Sequence, residues 1–298
     1  MTPEQALDIA RGLSCWSAPS NVAPLDGGIT NHNIRVTDGG RDYVVRLGED
    51  IPEHGIMRWH ELALSRAAEA AGLSPAVHHA EPGVLVLDFV PGTALTEKDL
   101  HDPDTLMAAT ELIARLHCRM PGHLRGPILS FWVFHILRDY AATLTERGSR
   151  HAAALPDLLE QTALLERAVG HVKLVLGHND LLPANLLRAD DGVLWVIDWE
   201  YGGFNSPLFD LGGLASNCAL PREAEEAMLT HYYRAPPDET LWRRYDAMKC
   251  ASLLRETMWS MISELTSTLD FDYAEYTDKN LDRYAGAFAA FTAQGCQP

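Results

Sequence analysis

The sequence LGHNDLLPANLL, from Leu176 to Leu187, sets a His-Asn-Asp triplet and a later asparagine inside an apolar run. Four residues separate Asp180 from Asn185, and a second apolar run ends at Asp198. Phosphoryl transfer needs these residue types: a carboxylate that accepts the proton of the attacking hydroxyl, and an amide and a carboxylate that hold Mg²⁺ against the phosphates. The spacing therefore predicts a phosphoryl-transfer site.

The alternative interpretation of this stretch is structural, because Asp and Asn in loops often cap backbone groups. A chance match to a single spacing is a known risk of short motifs. Asp198 reduces that risk, since it follows a separate strand pattern at the place that the chemistry requires. Two apolar strand patterns, residues 173–177 and 192–198, bracket the stretch, and we expect them to be neighbours that bring Asp198 to the loop.

The composition is that of an ordinary globular protein, with 47% hydrophobic and 22% charged residues among 298. The length allows one large domain or two lobes. No apolar run is long enough for a membrane span, and the N-terminus lacks the pattern of a secretory signal. The formal net charge of −17 disfavours nucleic acid and anionic membranes as partners. The five cysteines form no CxxC pair, so we expect free thiols and a cytoplasmic location.

The order of the predicted elements changes along the chain. Strand patterns and one helix come first: a hairpin over 33–47, a helix over 57–71, and strands over 75–80 and 83–90. The composition shifts at Pro91-Gly92, and helical patterns follow over 104–119, 132–146, 156–169 and from 221 onwards. We therefore predict an α+β fold of two lobes, a small β-rich one over 1–91 and a larger helical one over 92–298.

A second cluster of candidate residues lies in the β-rich part. In LDGGITN, Gly28 lets the backbone approach phosphate oxygens, and Thr30 and Asn31 can donate hydrogen bonds to them. Arg46, on the second hairpin strand, can clamp phosphates, and Glu61 in the following helix can pair with it. Alone, these residues are better explained by a tight turn and a solvated helix face. The downstream motif favours the functional interpretation.

The segments GGITNHNIRV, YVVRLG, HNDLLPANLL and VIDWEYGGFNSPLFDLG, together with Glu61, resemble the choline and ethanolamine kinase family. That family lies within the aminoglycoside-phosphotransferase and protein-kinase-like superfamily. The resemblance covers about Leu25 to Tyr284. It implies a bilobal protein-kinase-like fold that binds ATP in the cleft and uses Mg²⁺.

The resemblance also implies a role for each matching residue. Asp180 is expected to be the catalytic base, with Asn185 and Asp198 as the magnesium ligands. Arg46 and Glu61 are expected to form the ion pair that holds the phosphates of ATP. The expected structural residues are His178 and Asp210, and the other nucleotide-binding candidates are Gly28, Thr30, Asn31, Asp88, Phe89 and Val90.

The acceptor is expected to be a small molecule, because the chain departs from the protein kinases. Asn179 stands where those enzymes usually have arginine, and Trp-Glu rather than Phe-Gly follows Asp198. A choline-like ammonium is held by aromatic faces through cation–π attraction and by nearby carboxylates. The residues expected to supply this pocket are Tyr201, Glu200, Glu256, Trp259 and Tyr276.

The acceptor pocket departs from the family at two positions, and one of them, Asn217, lies near where the family tends to place an acidic residue. Trp259 resembles the second tryptophan of the family's W-x-x-W box, whereas Glu256 replaces the first. We expect a kinase for a small amino alcohol, with choline first and ethanolamine second. Two alternatives stay open: a phosphotransferase acting on an aminoglycoside, thiamine or a sugar-amine, and a catalytically silent module that binds a nucleotide or metabolite. The sequence gives no indication of oligomeric state.

Overall fold

The structure, a computed structural model, describes residues 1–25, 31–267 and 271–293. Gly28 and Thr30, which the sequence assigns to phosphate binding, lie outside these ranges. The helices are α1 (Pro3–Gly12), α2 (Arg58–Ala70), α3 (Pro103–Arg119), α4 (Val133–Glu146), α5 (Leu155–Val169), α6 (Pro207–Asn217), α7 (Arg222–Tyr233), α8 (Glu239–Thr266) and α9 (Tyr273–Ala293). The strands are β1 (Ser20–Pro24), β2 (His32–Asp38), β3 (Arg41–Leu47), β4 (Val77–Glu81), β5 (Val84–Asp88), β6 (Gly92–Ala94), β7 (Val175–Gly177), β8 (Leu186–Ala189), β9 (Leu194–Val196) and β10 (Gly203–Asn205).

The N-terminal part is an antiparallel sheet with the strand order β1-β2-β3-β5-β4. The β2–β3 hairpin turns at Gly39 and Gly40, whose φ angles of 57° and 75° favour glycine. Alternate residues of the hairpin, such as Ile34 and Val45, are buried in a small core that they share with Ala6 of α1. The hairpin predicted over residues 33–47 is confirmed.

Helix α2 connects β3 to β4 and carries Glu61 on its buried face. The same face buries Leu64 and Ala68, which belong to the main hydrophobic core of the molecule. Because Arg46 lies on β3 in the middle of the sheet, this packing places Glu61 within hydrogen-bond distance of it. The predicted helix thus begins and ends within one residue of the observed one.

Beyond the sheet the chain is mainly helical, which confirms the predicted α+β class. Helix α8 lies at the centre of this part and packs against α4, α5, α6 and α9. Its buried residues are spread around the helix rather than along one stripe, as expected for a helix surrounded by others. Within the described ranges, no helix combines the length and the apolar character that crossing a membrane requires.

A small sheet with the order β6-β8-β9 follows the predicted boundary at residue 91. Strand β6 pairs with β8, and the Leu95 amide donates to the Leu186 carbonyl at 2.8 Å. Gly92 lies so close to β8 that a Cβ atom there would be 2.3 Å from the Arg188 carbonyl oxygen, so only glycine fits. The boundary between the two predicted lobes stays a prediction.

The strands on either side of the opening motif differ from our expectation. We expected strands 173–177 and 192–198 to be neighbours, and this is wrong: β7 pairs with β10, whereas β9 pairs with β8. Strands β8 and β10 and helix α6 are absent from the predicted elements. Strands of three or four residues are too short to show a periodicity, so tertiary contacts decide their partners. Asp198 still reaches the loop, because β8 begins directly after Asn185.

Two buried histidines, His54 and His60, are expected to make the stability of the protein depend on pH. The Nε2 atom of His60 accepts a hydrogen bond from the Leu129 amide at 3.1 Å, so the ring is neutral. Burial lowers the pKa of His60 from its ordinary 6.5 to about 4, and burial together with the charge of Arg255 lowers that of His54 to about 3. As the pH falls from 6.5 towards 4, the unfolded chain takes up protons that the folded chain does not, so stability decreases.

We expect His60→Gln to reduce this acid sensitivity, since glutamine can still accept from the Leu129 amide. The free energy of unfolding should fall by about 1.4 kcal/mol less per pH unit than in the wild type, the slope of one proton. Urea unfolding at several pH values between 4 and 6.5 measures this slope. His135 is exposed, and His135→Gln is the matched control. An unchanged slope in His60→Gln would contradict the prediction.

Candidate active site

The loop after β7 is held by the buried carboxylate of Asp210 on α6. Asp210 accepts hydrogen bonds from the amides of His178 and Asn179, at 2.8 and 2.7 Å. It also contacts Nε2 of His117 at 2.9 Å. Burial opposes the charge of Asp210, but the hydrogen bond and the charge of His117 lower its pKa below the ordinary value. An ionised Asp210 therefore holds the first residues of the loop, His178 and Asn179, through their backbone amides.

Asn179 anchors a second segment to the same loop. Its backbone is left-handed, with a φ angle of 65°, which is uncommon for a residue other than glycine. Its side-chain amide donates to the carbonyls of Tyr201 and Gly203 at 2.9 and 3.1 Å. The amide oxygen accepts from Asn205 at 3.0 Å. The side chain thus ties the loop to the segment that follows Asp198, and these bonds stabilise the unusual conformation.

Ile197 joins the two halves of the predicted motif. Its amide donates to the carbonyl of Asn185 at 3.0 Å, and its carbonyl accepts from Nε2 of His178 at 2.9 Å. Asp198 follows directly and has a left-handed backbone, with a φ angle of 70°. The side-chain nitrogen of Asn185 donates to the backbone carbonyl of Asp180 at 2.8 Å, which leaves its Oδ1 as the atom available to a metal.

Asp180 lies at the turn of this loop in an environment that raises its pKa. Burial raises the pKa to about 7, the positive charge of Arg255 opposes this rise, and the negative charges of Glu256 and Asp198 add to it. Its Oδ1 atom is 3.5 Å from Nη1 of Arg255. A carboxylate whose pKa lies near neutrality is suited to accept a proton from a hydroxyl.

The predicted Arg46–Glu61 pair is part of a larger ionic cluster. Arg46 Nε donates to Glu61 at 3.1 Å, and its Nη2 donates to Asp198 at 2.7 Å and to Glu200 at 3.1 Å. Burial alone would lower the pKa of Arg46, but the charges of Asp198, Glu61 and Glu200 raise it. The guanidinium therefore stays charged beside Asp198.

Arg58, a residue that our sequence analysis did not include, completes the cluster. It donates to Glu61 at 2.7 Å and to Glu200 at 2.8 Å. Glu200, expected in the acceptor pocket, pairs with both arginines and also lines a cavity together with Tyr201. Carboxylate oxygens of Glu61, Asp198 and Glu200 lie within 4.8 Å of one another and could hold a metal ion. Such oxygen donors suit Mg²⁺.

The described nucleotide-binding candidates lie at two places. Asn31 donates its side-chain amide to Glu200 and so adjoins the ionic cluster. Asp88, at the end of β5, pairs with Arg41 at 2.9 Å, and its amide donates to the Ala76 carbonyl. The Phe89 amide donates to the protein as well, to a carbonyl of the hairpin, and Val90 follows. The amides of Asp88 and Phe89 are therefore committed to other parts of the protein.

The acceptor candidates on α8 and α9 make two hydrogen bonds, one to Tyr201 and one between the two helices. The indole Nε1 of Trp259 donates to the hydroxyl of Tyr201 at 2.9 Å. The hydroxyl of Tyr276 donates to Glu256 at 2.7 Å. The structure thus brings the expected residues Tyr201 and Trp259 together, and Glu256 reaches the same region one turn earlier on α8.

Arg255 is the main residue of this region that our sequence analysis missed. Its guanidinium carbon lies 4.2 Å from the ring centre of Tyr201, and its Nη1 is 3.2 Å from Glu256. Only 3% of the residue is exposed, so it contributes a buried positive charge. The signal in the sequence was an arginine directly before Glu256 in a helix whose neighbours are mostly apolar. Its orientation towards Asp180 depends on how α8 packs.

Sequence comparison places these residues in a known group of proteins. A family model described as phosphotransferase enzyme family matches residues 21–248. The chain is similar to a probable ethanolamine kinase of Arabidopsis thaliana, with 27% identity over 289 residues that cover 86% of this chain and 76% of that protein. It is also similar to protein LicA of Haemophilus influenzae, with 26% identity over 267 residues and the same coverage of 86% and 76%.

A solved structure supports the same fold. Choline kinase LicA from Streptococcus pneumoniae superposes with a TM-score of 0.79 at 21% identity, covering 96% of this chain and 99% of that one. The expected kinase-like fold is therefore confirmed, and so is the resemblance from which it was inferred. The family model matches most of the chain, including the loop from His178 to Asn185, Asp198 and the Arg46–Glu61 pair. This chain belongs to the phosphotransferase enzyme family.

Proposed function

We propose that the chain transfers the γ-phosphoryl group of ATP to the hydroxyl of a small amino alcohol, the class to which choline and ethanolamine belong. One observation carries this proposal: the contacts of Ile197 bring the loop of Asp180 and Asn185 against Asp198, which in turn pairs with Arg46. Phosphoryl transfer depends on such positioning and on charge stabilisation. The relatives named above as ethanolamine and choline kinases support the acceptor class.

The residues of the loop and its neighbours have distinct roles in the proposed reaction. Asp180 accepts the proton of the attacking hydroxyl. Asn185, through Oδ1, and Asp198 would hold Mg²⁺, whose oxygen preference their donor atoms fit. The ion supplies neutralisation of the phosphate charge when bound. Arg46, oriented by Glu61, contacts the phosphates, while His178 and Asp210 keep the loop in place.

The nucleotide is proposed to lie between the two predicted lobes, residues 1–91 and 92–298. The phosphates are proposed to contact Asn31, and the phosphate-binding role expected of Gly28 and Thr30 stays a prediction. Adenine contacts the segment that ends at Val90, and because the amides of Asp88 and Phe89 already donate to the protein, it uses the other backbone groups there.

An ATP turnover assay with a panel of acceptors tests the proposal. We expect amino alcohols to stimulate Mg²⁺-dependent ADP release at least about tenfold over the acceptor-free rate, because the acceptor hydroxyl must be positioned at Asp180. The panel contains choline, ethanolamine, thiamine and several aminoglycosides. Stimulation by thiamine or aminoglycosides alone would favour the alternative phosphotransferase, and ATP binding without any turnover would favour a silent module. Either result contradicts the proposal.

A further inference from the structure

Arg58, the first residue of α2, supplies a second positive charge beside Arg46, and only 12% of its side chain is exposed. Its Nη1 atom donates to Oε2 of Glu61 at 2.7 Å and to Oε1 of Glu200 at 2.8 Å. Its Nε atom donates to the carbonyl of Glu49 at 2.9 Å, which fixes the direction of the side chain. Burial lowers the pKa of Arg58, but the charges of Glu200 and Glu61 outweigh this effect and raise it. Arg58 is therefore a charged group held against two carboxylates.

Arg46 and Arg58 share the same two carboxylates. Arg46 donates to Oε1 of Glu61 and to Oε1 of Glu200, both at 3.1 Å. Arg58 binds the other oxygen of Glu61 and the same oxygen of Glu200. The side chains of Glu61 and Glu200 are only 4% and 3% exposed. Since a buried carboxylate without a positive partner is strongly destabilising, both need an arginine whatever else binds nearby.

Gly48, directly after β3, leaves room for the guanidinium of Arg58. A Cβ atom at Gly48 would lie 2.8 Å from Nη2 of Arg58, and closer still to the side-chain oxygen of Asn31. The φ angle of Gly48 is not in the left-handed region, so its backbone conformation does not require glycine. The close approach of Arg58 and Asn31 does. The place of Arg58 beside the carboxylates is thus part of the fold.

The proposed reaction requires Arg46 to change partners. Its Nη2 atom donates to Asp198 at 2.7 Å and to Glu200 at 3.1 Å. When this part of the guanidinium turns to the phosphates of a nucleotide, its contacts with these carboxylates weaken. Asp198 would then face the metal that it is proposed to hold. Glu61 and Glu200 have no such replacement from outside, but they keep Arg58.

We propose that Arg58 is the positioning residue that frees Arg46 for the phosphates of the nucleotide, because it neutralises Glu61 and Glu200 in place of Arg46. This inference rests on the proposed phosphotransfer and adds a residue to its nucleotide site. Without Arg58, moving Arg46 would leave two buried carboxylates unpaired. The fraction of the protein that is ready to bind the nucleotide would then be smaller, and the apparent affinity would fall with it. Arg58 itself needs no contact with the nucleotide.

Replacing Arg58 by methionine tests this role, since methionine keeps an unbranched side chain without the charge. We expect the Kd for ADP to rise about 30-fold, because Arg46 is retained by the carboxylates. Isothermal titration calorimetry in the presence of EDTA measures this Kd without a contribution from a metal. The KM for ATP should rise by a similar factor, whereas kcat should change less than about threefold. Arg66 is exposed on the same helix, and Arg66→Met is the control that should keep all three values.

A second change, at Glu200, shows whether Arg58 acts through Arg46. In a Glu200→Gln background one of the carboxylates that retain Arg46 is gone, so Arg58→Met should raise the Kd for ADP less than about threefold. Glu49 is exposed and makes no ion pair with Arg46 in the described part of the chain. In a Glu49→Gln background, which has the same net charge, Arg58→Met should still raise the Kd about 30-fold. The two backgrounds separate the release of Arg46 from a general loss of positive charge.

Thermal unfolding shows whether each variant is folded. If Arg58→Met does not fold, Arg58→Gln is the second variant, and its effect on the Kd should depend on Glu200 in the same way. An unchanged Kd in a folded Arg58 variant would overturn the inference. Equal losses in the wild-type and Glu200→Gln backgrounds would overturn it as well, because Arg58 would then act on the nucleotide directly or on the fold.

Two further outcomes are decisive. If Glu49→Gln suppresses the effect of Arg58→Met as well as Glu200→Gln does, only the net charge matters and the inference is wrong. A wild-type protein that turns over ATP with an amino alcohol while Arg58→Met keeps its KM for ATP would refute the role of Arg58 and leave the proposed function intact. Turnover with none of the amino alcohols would remove the proposed function, and the inference with it.

Discussion

Replacing Asp180 by asparagine is expected to lower kcat by about 10³-fold, within the range that a positioned general base contributes. Asparagine has nearly the same shape but cannot accept the hydroxyl proton. Because burial raises the pKa of Asp180 to about 7, the protein gains little from an ionised group there. The variant should therefore unfold at the same temperature as the wild type, or slightly higher. Steady-state ADP release with the preferred acceptor measures the effect.

The control for Asp180→Asn is a change of the same kind outside the site. Asp190 is an exposed aspartate beyond β8, and Asp190→Asn should keep the wild-type rate. The KM for ATP should change little in Asp180→Asn, because the nucleotide contacts proposed for Arg46 and Asn31 are intact. A residual rate above about one tenth of the wild type would contradict the role of Asp180 as general base.

Replacing Asp210 by leucine is expected to lower the free energy of unfolding by about 3–5 kcal/mol, the range for removing one partner of a buried charged pair. The change would leave the amides of His178 and Asn179 without their acceptor in the interior, and His117 without its carboxylate. Each unsatisfied buried donor is costly. Urea unfolding at pH 7 measures the loss, and kcat should also fall because the loop loses its support.

Two further variants show whether the loss of stability comes from the lost hydrogen bonds of Asp210 or from introducing a leucine. Asp210→Asn keeps one acceptor oxygen, so its free energy of unfolding should lie between those of the wild type and Asp210→Leu. Asp282 is exposed on α9, and Asp282→Leu should change the free energy of unfolding by less than about 0.5 kcal/mol. If Asp210→Leu unfolds at the urea concentration of the wild type, Asp210 is not the support that the contacts indicate.

The parts of the fold that the sequence predicted are those encoded locally. The β2–β3 hairpin has alternating apolar residues around a glycine turn, and α2 has a helical repeat that ends before Gly72. The opening motif likewise holds Asp180 and Asn185 on one short loop, so their separation depends on few bonds. Such features can be predicted from the sequence because the residues that form them are close along the chain.

The pairing of the short strands and the surroundings of Asp180 depend on distant residues. The sequence alone predicted that Asp180, Asn185 and Asp198 form a phosphoryl-transfer motif, since the chemistry needs those residue types at that spacing. Only the tertiary structure showed that Glu200 lies among Arg46 and Arg58, and that α8 directs Arg255 towards Asp180. A side chain on a helix can face any neighbour until the packing of that helix is known.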